Sequence, residues 1–157
     1  MWNRGGKDGE HPQRLLQRNI RNEGTRHKRK ESIRVTGGYS GEATMKSLQQ
    51  TVLHKNERNA IAAAARLLKE KYSIDRIILF GSKARGDSDA SSDIDLLLIS
   101  STKLHWRDEK AVVDALFDIG MEHDVIFSPL FAAADEWEGI FKSFPIYREI
   151  TRDGAMA

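Results

Sequence analysis

The chain has 157 residues, enough for one domain or one domain with a tail. It carries 39% hydrophobic and 31% charged residues and only three prolines. It contains no apolar run near membrane-spanning length and no apolar N-terminal stretch of signal-peptide type. With no cysteine there are neither disulfides nor thiolate metal sites, which fits a reducing cytoplasm.

The net charge of +2 conceals two unlike parts. Residues 1–44 hold ten Lys/Arg against five Asp/Glu, and residues 45–157 hold fifteen against eighteen. The basic leader, with its cluster Arg26-His27-Lys28-Arg29-Lys30, has too few apolar residues to offset chain entropy by burial. A short helix over Gln13–Arg21 is the only element it suggests. A solvated tail, or an upstream extension with Met45 as the natural start, is preferred here to a phosphate-binding arm. The expected organisation is therefore a disordered leader, 1–44, and a folded domain, 45–157.

Within the domain, Ile61, Ala64, Ala65, Leu68 and Tyr72 recur with helical spacing and share one face. Ile77–Phe80 reads as a short buried strand, and Asp93–Ser100 as a second. Val112, Ala115, Leu116 and Ile119 mark another amphipathic helix, expected to close at Gly120. Val125-Ile126-Phe127 is expected to form a third strand, ended by Ser128-Pro129. Phe131 to Phe144 is read as helical, with a break at Pro145. The sum is an α/β domain: a small mixed β-sheet flanked by helices.

Between the first two strands stands the most informative spacing in the chain: Gly81-Ser82, ten residues, then Asp93-Ile94-Asp95. Glycine lets a backbone approach a phosphate without a Cβ in the way, and the Ser82 hydroxyl adds a hydrogen bond. Lys83 and Arg85 are nearby cations, able to touch phosphate or to pair with Asp87 and Asp89. Strand residues i and i+2 point to one face, so Asp93 and Asp95 can reach a common site. Two carboxylates there repel each other unless a cation or solvent relieves them. Such a pair beside an anion-accepting turn suits magnesium and a nucleoside triphosphate. Asp124 opens the expected third strand; if that strand lies beside the second, all three carboxylates converge as in two-metal phosphoryl transfer. His123 then points the other way and is read as structural.

Gly81-Ser82-x10-Asp93-x-Asp95, with Lys83-Ala84-Arg85-Gly86 after the serine, resembles the minimal nucleotidyltransferases of the DNA polymerase β superfamily. More narrowly it is similar to the MntA-type antitoxins, partners of HepT toxins. The closing segment, Pro145 to Gly154, also looks like the end of such domains. The resemblance spans about Leu53 to Gly154. It implies the polymerase-β-like fold and a role for Asp93, Asp95 and Asp124 as catalytic and metal-binding residues holding Mg2+, as two ions. It further implies that Gly81, Ser82 and Arg85 bind the nucleotide, with ATP as substrate. The implied reaction moves AMP to a hydroxyl, in MntA-type proteins a tyrosine of the toxin. Alternatives are a small-molecule acceptor, as in aminoglycoside nucleotidyltransferases, or a module that binds a partner without turnover. Nucleic acid and membrane are not expected partners. Trp137, Ile140, Phe141, Phe144 and Tyr147 are candidates for a partner face, although packing of the last helix is preferred for most of them. Trp106 is read as a core edge.

Overall fold

A computed structural model describes residues 45–157. The expectations for residues 1–44, including the Gln13–Arg21 helix, lie outside the described residues. In chain order the domain contains β1 (Lys46–Ser47), α1 (Lys55–Lys71), β2 (Ile74–Phe80), α2 (Gly81–Arg85), β3 (Ile94–Ser100) and α3 (Trp106–His123). Then follow β4 (Phe127–Ala133), α4 (Ala134–Glu138), α5 (Pro145–Asp153) and β5 (Ala155–Met156). The strands form one mixed sheet in the order β1-β5-β2-β3-β4. β2 runs antiparallel to β3, and β3 runs parallel to the edge strand β4.

β2 and β3 lie at the middle of this sheet and are apolar on both faces. Ile77, Leu79, Ile94, Leu96 and Leu98 pack against α1 (Ala60, Ile61, Ala64, Leu68) and α3 (Val112, Leu116, Ile119). Ile78, Leu97 and Ile99 turn to the other face, where Trp137 and Ile150 cover them. The period-2 alternation of the strands thus feeds two cores, and the helices form the outer layers. The side chain of Asp95 belongs to the face of Leu97 and Ile99, the one that carries α5.

Several elements differ from the sequence-based expectation for identifiable reasons. β2 begins at Ile74, three residues early. Gly120 lies within α3, not at its end. A Cβ there would stand 2.6 Å from the Val125 carbonyl oxygen, so glycine permits the close approach of the returning chain. The helix closes instead at Asp124, in the left-handed conformation (φ 55°, ψ 52°) that aspartate tolerates better than most residues. The third strand accordingly starts at Phe127 and runs through Ser128-Pro129 to Ala133. Proline is accommodated because β4 is an edge strand. Phe131 is strand and not helix, and Pro145 opens α5 as its first residue, where its missing N–H costs no intrahelical bond.

Of the aromatic residues near the C-terminus, Trp137 is buried, in tilted ring contact with Phe141 and Tyr147. Ile140 and Phe144 are exposed. Trp106 is not a core edge: it is 62% exposed, with the Arg107 guanidinium 5.3 Å from its ring.

Candidate active site

The site forms where β2 ends and β3 begins. Antiparallel pairing sets Phe80 opposite Asp95, which brings the residue after Phe80 against the aspartate. Gly81 has φ +70°, and a Cβ on it would collide with Oδ2 of Asp95 and stand 3.1 Å from its Cγ. Only glycine satisfies both demands, the positive φ and the empty volume. The Gly81-Ser82 turn and the Asp95 carboxylate are therefore in direct apposition, as the spacing of ten residues suggested.

α2 begins at Gly81 itself and is five residues long. Its first-turn N–H groups have no intrahelical acceptor and remain available for an anion. With so few aligned peptides, those donors and not a macrodipole are its contribution. Gly86, in the left-handed conformation (φ 84°), ends it and donates to the Ser82 carbonyl at 2.8 Å. Gly81 and Ser82 are half-buried, whereas Arg85 is exposed and its Nε donates to Asp87 Oδ2 at 3.1 Å. That bond raises the guanidinium's proton affinity further.

Asp93 is exposed and Asp95 half-buried. Burial pushes the Asp95 carboxyl above the usual aspartate range, and the charge of Asp93 adds to this. A hydrogen bond from Ser128 and the charge of Arg85 oppose it. Ser128 is the register partner of Asp95 on β4.

The structure does not bring Asp124 to this pair. As the C-cap of α3 it lines a cavity with His54, Glu57, Ile94 and Gly120, where α1 and α3 pack, and this cavity is bordered by Ser91 and Ser92 of the loop before Asp93. Among the described residues no group of three or more His, Cys, Asp or Glu side chains is placed to hold a metal. The physical reason is register. Ile94 pairs with Phe127, so the β4 residue facing Asp95 is Ser128, four positions beyond Asp124. His123 ends α3, and its carbonyl accepts from Asn56 Nδ2 at 3.1 Å.

Lys83 is neither a phosphate-facing cation nor a partner of the Asp87 carboxylate. It is buried, and its Nζ donates to Glu57 Oε1 at 2.5 Å and to the Asp89 carbonyl at 3.0 Å. Glu57 was not singled out from sequence, where it sits in a run of polar residues opening α1. Asp89 accepts from the backbone N–H of Ser91 and from the hydroxyls of Ser91 and Ser92. These bonds order the loop before Asp93 and depress the Asp89 carboxyl.

The donor set at Asp93 and Asp95 fits one divalent cation of magnesium type. Magnesium is commonly bound by one or two carboxylates and completes its octahedral shell with phosphate oxygens and water. Two carboxylates, one of them raised in proton affinity by burial and by its neighbour, are relieved by such a cation.

This cost has a measurable consequence. Because the Asp95 carboxyl holds its proton to higher pH in the folded chain than in the unfolded one, the folded state binds more protons. Its contribution to stability therefore falls as pH rises from the ordinary aspartate range through the raised value. Asp95→Asn removes the cost. In metal-free buffer at neutral pH the variant should melt a few degrees above the parent, an advantage that shrinks as pH drops toward about 4. A variant that melts below the parent at neutral pH would contradict this reading of Asp95.

Comparison with known proteins gives the same frame. Residues 63–137 match the family model "Polymerase beta, Nucleotidyltransferase". The chain is 34% identical over 64 residues to "Putative protein adenylyltransferase MJ0141" of Methanocaldococcus jannaschii. That match covers 41% of this chain and 63% of the relative, less than two thirds of its length. It is 31% identical over 104 residues to "Putative protein adenylyltransferase MJ0604" of the same organism, covering 63% of this chain and 95% of the relative. Among solved structures, a toxin-antitoxin with AMP-PNP matches at TM-score 0.43 and 18% identity, over 62% of this chain and 69% of that one. With a relative matched over nearly its whole length, and with the glycine-serine turn set against the paired aspartates, the chain belongs to the polymerase-β-type nucleotidyltransferases.

Proposed function

We propose that this nucleotidyltransferase moves AMP from ATP to a hydroxyl, a tyrosine hydroxyl, of a HepT-type toxin and so acts as its antitoxin. The observation that carries the reading is the apposition of Gly81 and Asp95, which puts a phosphate-sized turn and a cation-binding carboxylate pair at one place. The names of the two archaeal relatives supply the adenylyl group and the protein acceptor.

The residues divide the work as follows. The Gly81-Ser82 turn holds the outer phosphates through backbone N–H groups and the Ser82 hydroxyl. Asp93 and Asp95 would hold Mg2+, which when bound would supply positive charge against the triphosphate. Arg85, exposed and within the field of Asp95, balances negative charge at the mouth of the site. The acceptor oxygen attacks the α-phosphorus, pyrophosphate departs, and AMP remains on the acceptor. Asp124 is left out of this scheme, because it follows α3 as its cap residue and Ser128 is the β4 residue paired with Asp95. The reaction belongs to the cytoplasm, where ATP and magnesium are plentiful; no helix among the described residues is long and apolar enough to cross a membrane.

A protein acceptor accords with the surface. Val113, Phe117 and Met121 recur every four residues along the outside of α3, all exposed, and Trp106 and Ile126 flank them at its two ends. Five exposed large apolar side chains on one helix and its exit are suited to burial against a partner chain. They lie away from the C-terminal aromatics, most of which pack inward.

The test is incubation with α-labelled ATP, Mg2+ and a purified HepT-type toxin. Label should pass to the toxin, and Ser82→Ala should slow the transfer roughly tenfold, the worth of one hydrogen bond to a charged group. Absence of label on the toxin, with an intact folded enzyme, would reject the antitoxin assignment.

A further inference from the structure

Outside the phosphate turn and the aspartate pair, the most unusual group in the domain is a charged pair with almost no solvent access. Lys83 is 1% exposed and Glu57 5%. Burying two charges is expensive, and a well-packed apolar pair of similar volume commonly gives equal or greater stability. Such a pair therefore calls for a reason other than stability.

Its connections supply one. Lys83 directly follows Ser82. Its ammonium joins Glu57 of α1 to the carbonyl of Asp89, which also accepts the Ser92 N–H at 3.3 Å, one residue before Asp93. Glu57 uses its second oxygen to accept the His54 N–H at 2.7 Å, so the carboxylate is fixed to the start of α1. From the other side, Lys46 Nζ donates to the Ala84 carbonyl at 2.7 Å. One buried ammonium thus links three segments: the helix that carries the phosphate turn, the loop that delivers the first aspartate, and the rigid end of a 17-residue helix.

Building on the assignment of the site as a nucleotide site, we propose that the Lys83–Glu57 pair is a positioning device. It holds the Gly81-Ser82 turn and the Asp93–Asp95 carboxylates at a fixed separation before nucleotide arrives, while Lys83 itself touches no phosphate. The loop from Asp87 to Ser92 carries polar and small side chains and has little apolar burial of its own. The Asp87 N–H holds its start to the Ser82 carbonyl at 3.2 Å, and the ammonium ties its middle to Glu57 of α1. Loss of the pair frees the loop and the carboxylate at its end, and the nucleotide must then order both on binding.

The experiment compares the full-length protein with Glu57→Met/Lys83→Met and with Glu57→Gln. Three quantities are read: melting temperature, amide hydrogen exchange over residues 82–92 without ligand, and affinity for AMP-PNP with Mg2+ by calorimetry. In the double variant we expect a melting temperature within a few degrees of the parent. Exchange in residues 82–92 should be at least about tenfold faster and AMP-PNP binding at least about tenfold weaker. Glu57→Gln preserves shape and one hydrogen bond. It serves if the double variant does not fold, and it should move exchange and affinity the same way by about threefold. Parent-like exchange and affinity in either folded variant would overturn the proposal and leave the pair a packing feature. If the parent itself does not bind AMP-PNP, the nucleotide-site reading fails, and exchange in the unliganded variants alone decides whether the pair positions the loop.

Discussion

Asp93→Ala and Asp95→Ala should each lower AMP transfer by at least about 100-fold while leaving the fold intact. The estimate is conservative: loss of a residue that merely supports a metal ligand costs 10- to 100-fold, and these two are the ligands in the proposed site. Asp93 is an exposed loop residue just before β3, so its removal creates no cavity. Asp95 is only half-buried, and its charge is a cost to the metal-free fold. Both variants should therefore remain folded and still fail, which separates a chemical defect from a structural one. Labelled transfer beside circular dichroism measures the two together. Asp124→Ala is the contrasting case: the residue lines the cavity that His54 and Ile94 also line, and it is not the register partner of Asp95, so transfer should stay within a few-fold of the parent. A collapse of activity in Asp124→Ala at unchanged stability would show that the α3 cap does enter the site.

Gly81→Val is expected to have the second largest effect, and on stability as well as chemistry. The residue occupies φ +70°, a region that β-branched side chains disfavour strongly, at about 1–3 kcal/mol. Its Cβ would also take the space of the Asp95 carboxylate. Relief requires either a shift of the turn away from β3 or rotation of Asp95 out of its place, and both dismantle the proposed cation site. The melting temperature should fall by roughly 5–10 °C and nucleotide binding should be lost. Gly86→Ala, by contrast, meets open space and faces only the backbone penalty (φ 84°), so it should cost stability yet retain binding. Equal nucleotide affinities in the two glycine variants would mean that the contact with Asp95 has no bearing on the site.

What was legible in the sequence follows from which signals are local. The unbroken apolar run Leu96 to Ile99 and the one-faced spacing of Ile61, Ala64 and Leu68 are local signals, and these residues are the buried ones. Gly81-Ser82 and Asp93-x-Asp95 were readable as a unit because an antiparallel pair joined by ten residues must return close to its own start. Asp124 was not readable in this way. The run Glu122-His123-Asp124-Val125-Ile126-Phe127 serves equally as a strand entry or as a helix end with a left-handed cap. The choice is made by pairing of Phe127 with Ile94, on a strand far away in sequence. The same holds for Pro145, which marks a helix start as readily as a break, and for Lys83. Nothing adjacent to Lys83 reveals that its partner is Glu57, 26 residues earlier. Pro129 misled for a different reason: proline argues against a central strand, and only the sheet order makes β4 an edge.

The residue opposite Asp95 on β4 is a serine, so this site is not a three-carboxylate cation centre. Ser128 holds the β4 position opposite Asp95 and contributes a hydroxyl where a carboxylate would add a third charge. Two carboxylates and a triphosphate suffice for one magnesium shell, so metal binding by the protein alone should be weak and should strengthen when nucleotide is present.

The most direct test is a crystal grown with Mn2+ and AMP-PNP, in which anomalous scattering locates the metal without reference to any assumed mechanism. The account predicts a peak within coordination distance of Asp93 and Asp95, with the phosphate chain against the Gly81-Ser82 turn. A peak at Asp124 and His54, or a nucleotide bound away from the aspartate pair, would contradict it.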